Sequence, residues 1–138
     1  MALGKDAKTK AIARVPLFSR CSKRELGLVA GIADELDLRA GKVLTKEGDR
    51  GREFFALLDG TAEVSQGGRK RNTLGAGDFF GEIALVSRSP RTATVTALTA
   101  VRVLVIRDQE FRALVDRMPA IQTKVLEALA DRLAADAL

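Results

Sequence analysis

The sequence contains no histidine, no tryptophan and no tyrosine among its 138 residues, and it has a single cysteine. Histidine is the usual general base near neutral pH and a common metal ligand, so its absence excludes histidine-dependent triads and imidazole-based metal sites. Cys21 has no partner for an internal disulfide and no histidine to activate it, and we interpret it as structural. We therefore expect no catalytic residue, no bound metal and no enzymatic activity.

The sequence also has no apolar run long enough to cross a bilayer. Its first residues, MALGKDAKTKAIARV, carry charges where a secretion signal has an apolar block, so we expect a cytoplasmic protein. Apolar residues make up 46% and charged residues 30%, which is ordinary for a globular protein. We predict a single domain over residues 1–138, and the abundance of alanine and arginine suggests a bacterial source.

The formal net charge of +5 favours anionic partners. However, the basic clusters are short, and the chain has no Tyr or Trp on which bases could stack. We therefore interpret the clusters as solvated surface and expect no nucleic-acid partner. The basic residues concerned are Lys5, Lys8, Lys10 and Arg14, then Arg20, Lys23 and Arg24, and finally Arg69, Lys70 and Arg71.

The hydrophobic periodicity divides the chain into a β-prone centre and two helical flanks. Ser22 and Glu25 are spaced as a capping box and predict the start of a helix. Short β-prone runs separated by glycine follow, which is typical of a compact antiparallel barrel or jelly roll. Helical periodicity then returns, with Asp108 predicted as a cap and Pro119 in a first turn. We predict an eight-stranded antiparallel β-barrel or jelly roll over residues 35–107, flanked by helices at 5–33 and 108–136.

The most informative stretch of the sequence is FGEIALVSRSPRTATV. Gly81 lets the backbone approach a partner closely, and a short helix after it would expose the amides of Ile83 and Ala84 as an anion site. Arg91 would add a guanidinium, which binds phosphate through paired hydrogen bonds. The carboxylate of Glu82 would repel a phosphate, unless the ligand also offers a hydroxyl donor such as the ribose 2′-OH of a nucleotide.

This stretch resembles the phosphate-binding cassette of the cyclic nucleotide-binding domain family. The family pattern is F-G-E-[LIVM]-A-L, a short variable segment, and P-R-x-A-[ST]-[VI]. The upstream text KEGDRGREFFALLDGTAEV is similar to the family's strand-and-turn framework, and the resemblance covers nearly the whole chain. It implies a jelly roll that binds cAMP or cGMP as a regulatory sensor and uses no other cofactor. The matching framework positions are Gly48, Asp49, Gly51, Phe54 and Gly60.

The resemblance implies a role for each cassette position. Glu82 would accept a hydrogen bond from the ribose 2′-OH, and Arg91 would pair with the exocyclic phosphate oxygens. Gly81 would let the ribose approach the backbone closely. The anion site would be completed by the backbone amides of Ile83, Ala84 and Ala93.

Thr92, directly after the arginine, bears on the choice of base. In the family a threonine here can hydrogen-bond the guanine amino group of a syn nucleotide, or it can turn to the phosphate. We expect cAMP as the ligand, with cGMP as a competitor. Family members often cover the purine with an aromatic side chain, but no aromatic residue follows Phe111 in this sequence. We therefore expect an aliphatic lid, with Leu133 and Leu138 as candidates.

Two interpretations of the whole chain remain open. The first is a sensor that repositions its C-terminal helix on binding nucleotide, with an unidentified effector protein or a second copy of the chain as partner. The second is an interaction or dimerisation module of the same fold with an empty site. Locally, Glu82 and Arg91 could form a structural ion pair, and β-propensity alone could explain Thr92, Thr94 and Thr96. No helix-turn-helix is evident, in contrast to family members that regulate transcription.

Overall fold

The computed structural model describes residues 4–81 and 90–137 of the chain, with the side chains of Lys5 and of residues 132–137 left aside. Within these ranges two helices precede eight strands, and two more helices follow. The helices are α1 (Lys5–Ala13), α2 (Lys23–Ile32), α3 (Asp108–Arg117) and α4 (Pro119–Ala137), with a 3-10 turn at Pro16–Phe18. The strands are β1 (Asp34–Leu38), β2 (Val43–Thr45), β3 (Glu53–Asp59), β4 (Ala62–Gln66), β5 (Arg69–Leu74), β6 (Phe79–Phe80), β7 (Thr94–Ala97) and β8 (Val101–Arg107).

The strands form two four-stranded antiparallel sheets in a jelly-roll arrangement. The order is β1-β8-β3-β6 in the first sheet and β2-β7-β4-β5 in the second. The connections β1–β2, β3–β4, β5–β6 and β7–β8 each cross between the sheets in two to four residues, so the joined strands lie one over the other. The predicted eight-stranded jelly roll is confirmed. Within the described residues no strand pair joins the two sheets, so the barrel is open rather than closed.

The central strands β3 and β8 are buried on both faces, which explains their nearly unbroken apolar sequences. Alternate residues of a strand point to opposite faces of a sheet. In β3, Phe54 and Ala56 pack against the helices, whereas Phe55 and Leu57 pack between the sheets. The molecule therefore has three layers, and the first sheet contributes to both hydrophobic cores.

The helical layer is fixed to the first sheet by aromatic contacts. Phe111 of α3 stacks on Phe54 of β3 with 4.6 Å between ring centroids, and Phe18 meets the same ring edge-on at 6.1 Å. Ile121 and Val125 of α4 are buried in this cluster. The N-terminal and C-terminal flanks therefore share one core over β3. Among residues 4–81 and 90–137, no helix combines the length and apolarity needed to cross a membrane.

The predicted helix starts are confirmed, except that one of them differs by a single residue. The backbone amide of Ser22 donates to the Glu25 carboxylate at 2.7 Å, and the Glu25 amide donates to the Ser22 hydroxyl at 3.2 Å, which completes the capping box. Pro119 begins α4 as predicted. Asp108, by contrast, is the first helical residue rather than the cap, because β8 continues to Arg107, which takes the cap position.

Cys21 is half-buried against the helical layer. Burial raises the pKa of its thiol to about 11, and the nearby Glu25 carboxylate adds to the shift. The thiolate is the reactive form of cysteine, so a thiol with this pKa is unreactive at neutral pH. This is consistent with the structural role predicted for Cys21.

The turn between β3 and β4 offers a controlled test of the fold. Gly60 and Gly48 both have φ of 87°, but a Cβ on Gly60 would lie 2.3 Å from the carbonyl oxygen of Ala100, whereas nothing lies within 4 Å of one on Gly48. We expect Gly48→Ala to lower the free energy of unfolding by about 1–2 kcal/mol, because alanine is strained in the left-handed backbone conformation even where its Cβ meets no other atom. Gly60→Ala should cost about 1–3 kcal/mol more, because of overpacking. Denaturant unfolding measures both, and equal losses would contradict the steric explanation.

Candidate functional site

Arg91 is a buried charged residue, with 7% of its surface exposed, just before β7. Its Nη2 donates to the carbonyl oxygen of Glu53 at 2.5 Å, and its Nη1 donates to that of Gly81 at 3.1 Å. Such acceptors are necessary, because a buried charge without hydrogen-bond partners is strongly destabilising. Glu53 begins β3, and Gly81 directly follows β6, the strand paired with β3. Arg91 therefore ties together the ends of two neighbouring strands.

The guanidinium of Arg91 also lies over an aromatic ring. Its central carbon is 6.0 Å from the ring centroid of Phe55, and this ring stacks on Phe80 with 5.0 Å between centroids. A cation over the face of an aromatic ring is attracted by the negative π surface. The charged group is therefore positioned by an aromatic pair at the end of the inter-sheet core as well as by two carbonyls.

The backbone of Arg91 is paired with the loop between β2 and β3. The Arg91 amide donates to the carbonyl of Asp49 at 2.7 Å, and the Gly48 amide donates to the carbonyl of Arg91 at 2.9 Å. Arg50 and Pro90 form an adjacent β-bridge. The loop residues thus hold Arg91 through backbone hydrogen bonds, as residues of turns commonly do.

The hairpin between β4 and β5 holds the residue after Arg91. Nε2 of Gln66 donates to the carbonyl of Thr92 at 2.8 Å. The next residue of the hairpin, Gly67, donates its amide to the Glu47 carboxylate at 2.9 Å. The carbonyl of Ala93 accepts from the Thr45 hydroxyl at 3.3 Å. Thr92 and Ala93 are therefore held by hydrogen bonds from two distant strands, β4 and β2.

Gly81 is closely fitted to Arg91. Its φ is 95°, and a Cβ at this position would lie 2.6 Å from Nη1 of Arg91 and 2.9 Å from the carbonyl oxygen of Glu53. The space that a side chain would need is therefore occupied by the guanidinium. From the sequence, Gly81 is expected to allow the close approach of a ribose. The contact with the Arg91 guanidinium is a second reason for a glycine at this position, and the sequence does not indicate it.

The structure brings together four of the predicted site residues. Gly81 contacts Arg91, and Thr92 and Ala93 follow Arg91 along the chain, with Thr92 exposed. The other cassette residues, Glu82, Ile83 and Ala84, lie outside the described residues, as does the candidate lid residue Leu138. The second candidate, Leu133, lies in α4, but its side chain is outside the described part of the chain.

Sequence reasoning missed the groups that hold Arg91 in place. The carbonyl of Glu53 could not be identified, because a backbone acceptor leaves no mark on residue type. In the sequence, Phe55 is one more apolar residue of a β-prone run, and nothing there indicates that its ring contacts the guanidinium. Gln66 has one usable signal, because it is a polar residue directly before Gly67-Gly68, a glycine pair typical of a hairpin turn.

The chemistry of this arrangement favours anion binding. A planar guanidinium in a fixed orientation suits a phosphate, and burial strengthens the electrostatic attraction between them. Within residues 4–81 and 90–137, no group of three or more His, Cys, Asp or Glu side chains could hold a metal ion.

The sequence matches the family model of the cyclic nucleotide-binding domain over residues 35–118. Among curated proteins, the cAMP-dependent protein kinase regulatory subunit of Mycosarcoma maydis is 39% identical over 124 residues, which are 81% of this chain and 23% of that protein. A cyclic nucleotide-gated potassium channel of Rhizobium etli is 32% identical over 121 residues, which are 88% of this chain and 34% of the channel. The chain thus spans about a quarter to a third of the length of these relatives.

Solved structures show the same fold. PKAR CBD2 bound to Sp-2Cl-cAMPS aligns with a TM-score of 0.79 and 27% identity, covering 99% of this chain and 96% of that one. The catabolite activator protein of Thermus thermophilus aligns with a TM-score of 0.76 and 27% identity, covering 88% of this chain and 59% of that one. With its jelly roll and its match to the family model over residues 35–118, the chain belongs to the cyclic nucleotide-binding domain family.

Proposed function

We propose that this chain binds a cyclic nucleotide, with cAMP preferred over cGMP, and acts as a regulatory sensor in the cytoplasm. The observation that carries the proposal is the buried guanidinium of Arg91, fixed between the carbonyls of Gly81 and Glu53 at the arginine position of the family cassette. The Mycosarcoma maydis relative is named for its dependence on cAMP, and PKAR CBD2 was solved with a cAMP analogue. The proposed function requires no bond to be made or broken.

The phosphate is the group that Arg91 would hold. Its guanidinium can donate two parallel hydrogen bonds to the exocyclic oxygens, and a charged pair in a buried position is strong when it is well oriented. The backbone amides proposed to complete the anion site belong to Ile83, Ala84 and Ala93. Of these, Ala93 is placed by the hydrogen bond from Thr45 to its carbonyl.

The sugar and the base would be recognised by neighbouring residues. Glu82 would accept a hydrogen bond from the ribose 2′-OH, with Gly81 beside the sugar. Thr92 would direct its exposed hydroxyl to the phosphate of cAMP or to the guanine amino group of cGMP. The proposed lid over the base is aliphatic and is formed by Leu133 or Leu138.

Three consecutive residues of β3 support a proposed coupling between ligand binding and the position of the C-terminal helices. The Glu53 carbonyl accepts from Arg91, the Phe54 ring stacks on Phe111 of α3, and the Phe55 ring lies under the guanidinium. A ligand that changes the position of the Arg91 side chain would therefore disturb β3, the strand against which α3 packs. In this proposal the ligand shifts the helices because it binds the two arrangements with different affinity. The shifted helices would signal to an effector protein or to a second copy of the chain.

An interaction module with an empty site is the second candidate function. The observation in its favour is that Arg91 already has protein acceptors for its guanidinium and a structural function in tying β3 to β6. A chain of this kind would fold identically and would bind neither cAMP nor cGMP. Calorimetric titration of the wild type with cAMP and cGMP distinguishes the two functions.

Removal of the guanidinium should abolish most of the affinity. We expect Arg91→Ala to weaken cAMP binding by about 2–5 kcal/mol, because the phosphate loses its charge partner in a desolvated position. Arg91→Lys should recover part of this loss, since lysine keeps the charge without the planar pair of donors. Arg39→Ala, which removes an exposed cation, serves as the control. Calorimetric titration of folded variants measures the affinities, and an Arg91→Ala variant within threefold of wild type would refute the phosphate contact.

Thr92 should affect the two nucleotides unequally. Thr92→Ala removes one neutral hydrogen bond, worth about 0.5–1.5 kcal/mol or up to about tenfold in affinity. We expect the loss to be larger for cGMP than for cAMP, because only guanine offers the amino group. Thr96→Ala, four residues further along the chain in β7, is the matched control and should change neither affinity. Equal losses for both nucleotides with Thr92→Ala would mean that the hydroxyl serves the phosphate alone.

The proposed movement should be visible in hydrogen exchange. Addition of cAMP should slow amide exchange across residues 108–137, because the ligand stabilises the docked arrangement of α3 and α4. The same experiment on Arg91→Ala should show no slowing at the same nucleotide concentration. If protection in the wild type were confined to residues 80–95, binding would occur without a helix-based switch.

A further inference from the structure

The backbone of Thr92 is held on both sides by other segments of the chain. On one side, the carbonyl of Arg91 accepts from the Gly48 amide at 2.9 Å. On the other, the carbonyl of Thr92 accepts from Nε2 of Gln66 at 2.8 Å. A peptide group is planar, so a hydrogen bond to its carbonyl restrains the orientation of the whole plane. The two backbone dihedral angles of Thr92 are therefore restrained, and with them the direction in which its side chain leaves the backbone.

The two donors differ in kind. Gly48 contributes a backbone amide, which every residue type except proline possesses. Gln66, the last residue of β4, contributes a side-chain amide, so this contact depends on the residue type. Within the described part of the chain, no other side chain has a hydrogen bond to Thr92. Substitution of Gln66 is therefore a way to release one side of Thr92 without a change in the cassette itself.

A ring of hydrogen bonds keeps Gln66 in place. The next residue, Gly67, donates its amide to the Glu47 carboxylate at 2.9 Å. The Glu47 amide in turn donates to the hydroxyl of Thr94 at 2.9 Å. Thr94 follows Thr92 by two residues, so the ring returns to the segment that Gln66 contacts. The end of the β4–β5 hairpin therefore cannot move away from the start of β7 without breaking one of these contacts.

We propose that Gln66 is a positioning residue for the choice of base and that it acts through Thr92. The inference rests on the proposed function, in which the Thr92 hydroxyl turns to the phosphate or to the guanine amino group. Thr92 is exposed, so the direction of its side chain depends on its backbone rather than on packing. A hydrogen bond weakens steeply when its angle departs from the ideal, so a rotated Thr92 backbone weakens the contact with guanine. Adenine lacks this amino group, and cAMP is affected less.

Replacement of Gln66 by methionine tests the proposal. Methionine is similar in length but has no donor, so Gln66→Met removes the hydrogen bond to Thr92 without adding charge. We expect the dissociation constant of cGMP, divided by that of cAMP, to rise about three- to tenfold, with the cAMP affinity within about threefold of wild type. Calorimetric titration with both nucleotides measures this ratio, and an almost unchanged cAMP affinity shows that the variant is folded.

Three further variants separate positioning from general damage. Gln122→Met is the matched control, because Gln122 is also half-buried and its Nε2 also donates to a carbonyl, that of Asp116 at 3.4 Å. It should leave the ratio unchanged. Gln66→Lys restores a donor, and its charge acts alike on the identical phosphates of the two nucleotides, so the ratio should return to within about twofold of wild type. In a chain that carries Thr92→Ala, adding Gln66→Met should not change the ratio further, because the residue through which it acts is gone.

The same titrations distinguish failure of this inference from failure of the proposed function. If the wild type binds both nucleotides and Gln66→Met leaves the ratio within about twofold, the inference is overturned and the proposed function stands. A Gln66→Met effect of equal size with and without Thr92→Ala would also overturn it, because Gln66 would then act by another route. A wild type that binds neither nucleotide overturns the proposed function and, with it, this inference.

Discussion

The buried guanidinium of Arg91 is the constraint on which the contacts around the candidate site depend. A charge with 7% exposure must be surrounded by acceptors, and the carbonyls of Glu53 and Gly81 meet this need. Their arrangement leaves no room for a side chain at residue 81. One electrostatic requirement thus explains the position of a glycine, the junction of β3 with β6, and the attachment of the segment before β7.

Strand β3 connects this constraint to the rest of the molecule. It pairs with β8 and β6, contributes to both hydrophobic cores, and places Phe54 against Phe111 of α3. The residues on either side of Phe54 contact the guanidinium. Consecutive residues of this strand, which is buried on both faces, therefore contact both Arg91 and the helical layer.

The architecture was largely predictable from the sequence, because periodicity and turn residues report on local conformation. The capping box at Ser22, the start of α4 at Pro119 and the Gly67-Gly68 hairpin follow from rules that involve only neighbouring residues. The open barrel was not predictable, because closure depends on strand pairing between distant segments. The carbonyls that hold Arg91 were also missed, since any residue type can supply them.

The candidate site was predicted in part, and for a different physical reason. The family resemblance rests on a contiguous pattern, so Arg91 can be singled out from the sequence alone. The contacts from Gln66, Glu47 and Thr45 come from distant strands, and the fold is needed to bring them to residues 91–94.

Thermal unfolding with increasing cAMP tests the central claim most directly. A ligand that binds only the folded state raises the melting temperature, and the rise continues as the ligand concentration increases above the dissociation constant. The account predicts a concentration-dependent rise with cAMP, a rise with cGMP at higher concentration, and little change with 5′-AMP, which lacks the cyclic phosphate. An unchanged melting temperature with both cyclic nucleotides at about 1 mM would contradict the account, and Arg91 would then be a structural residue in an empty site.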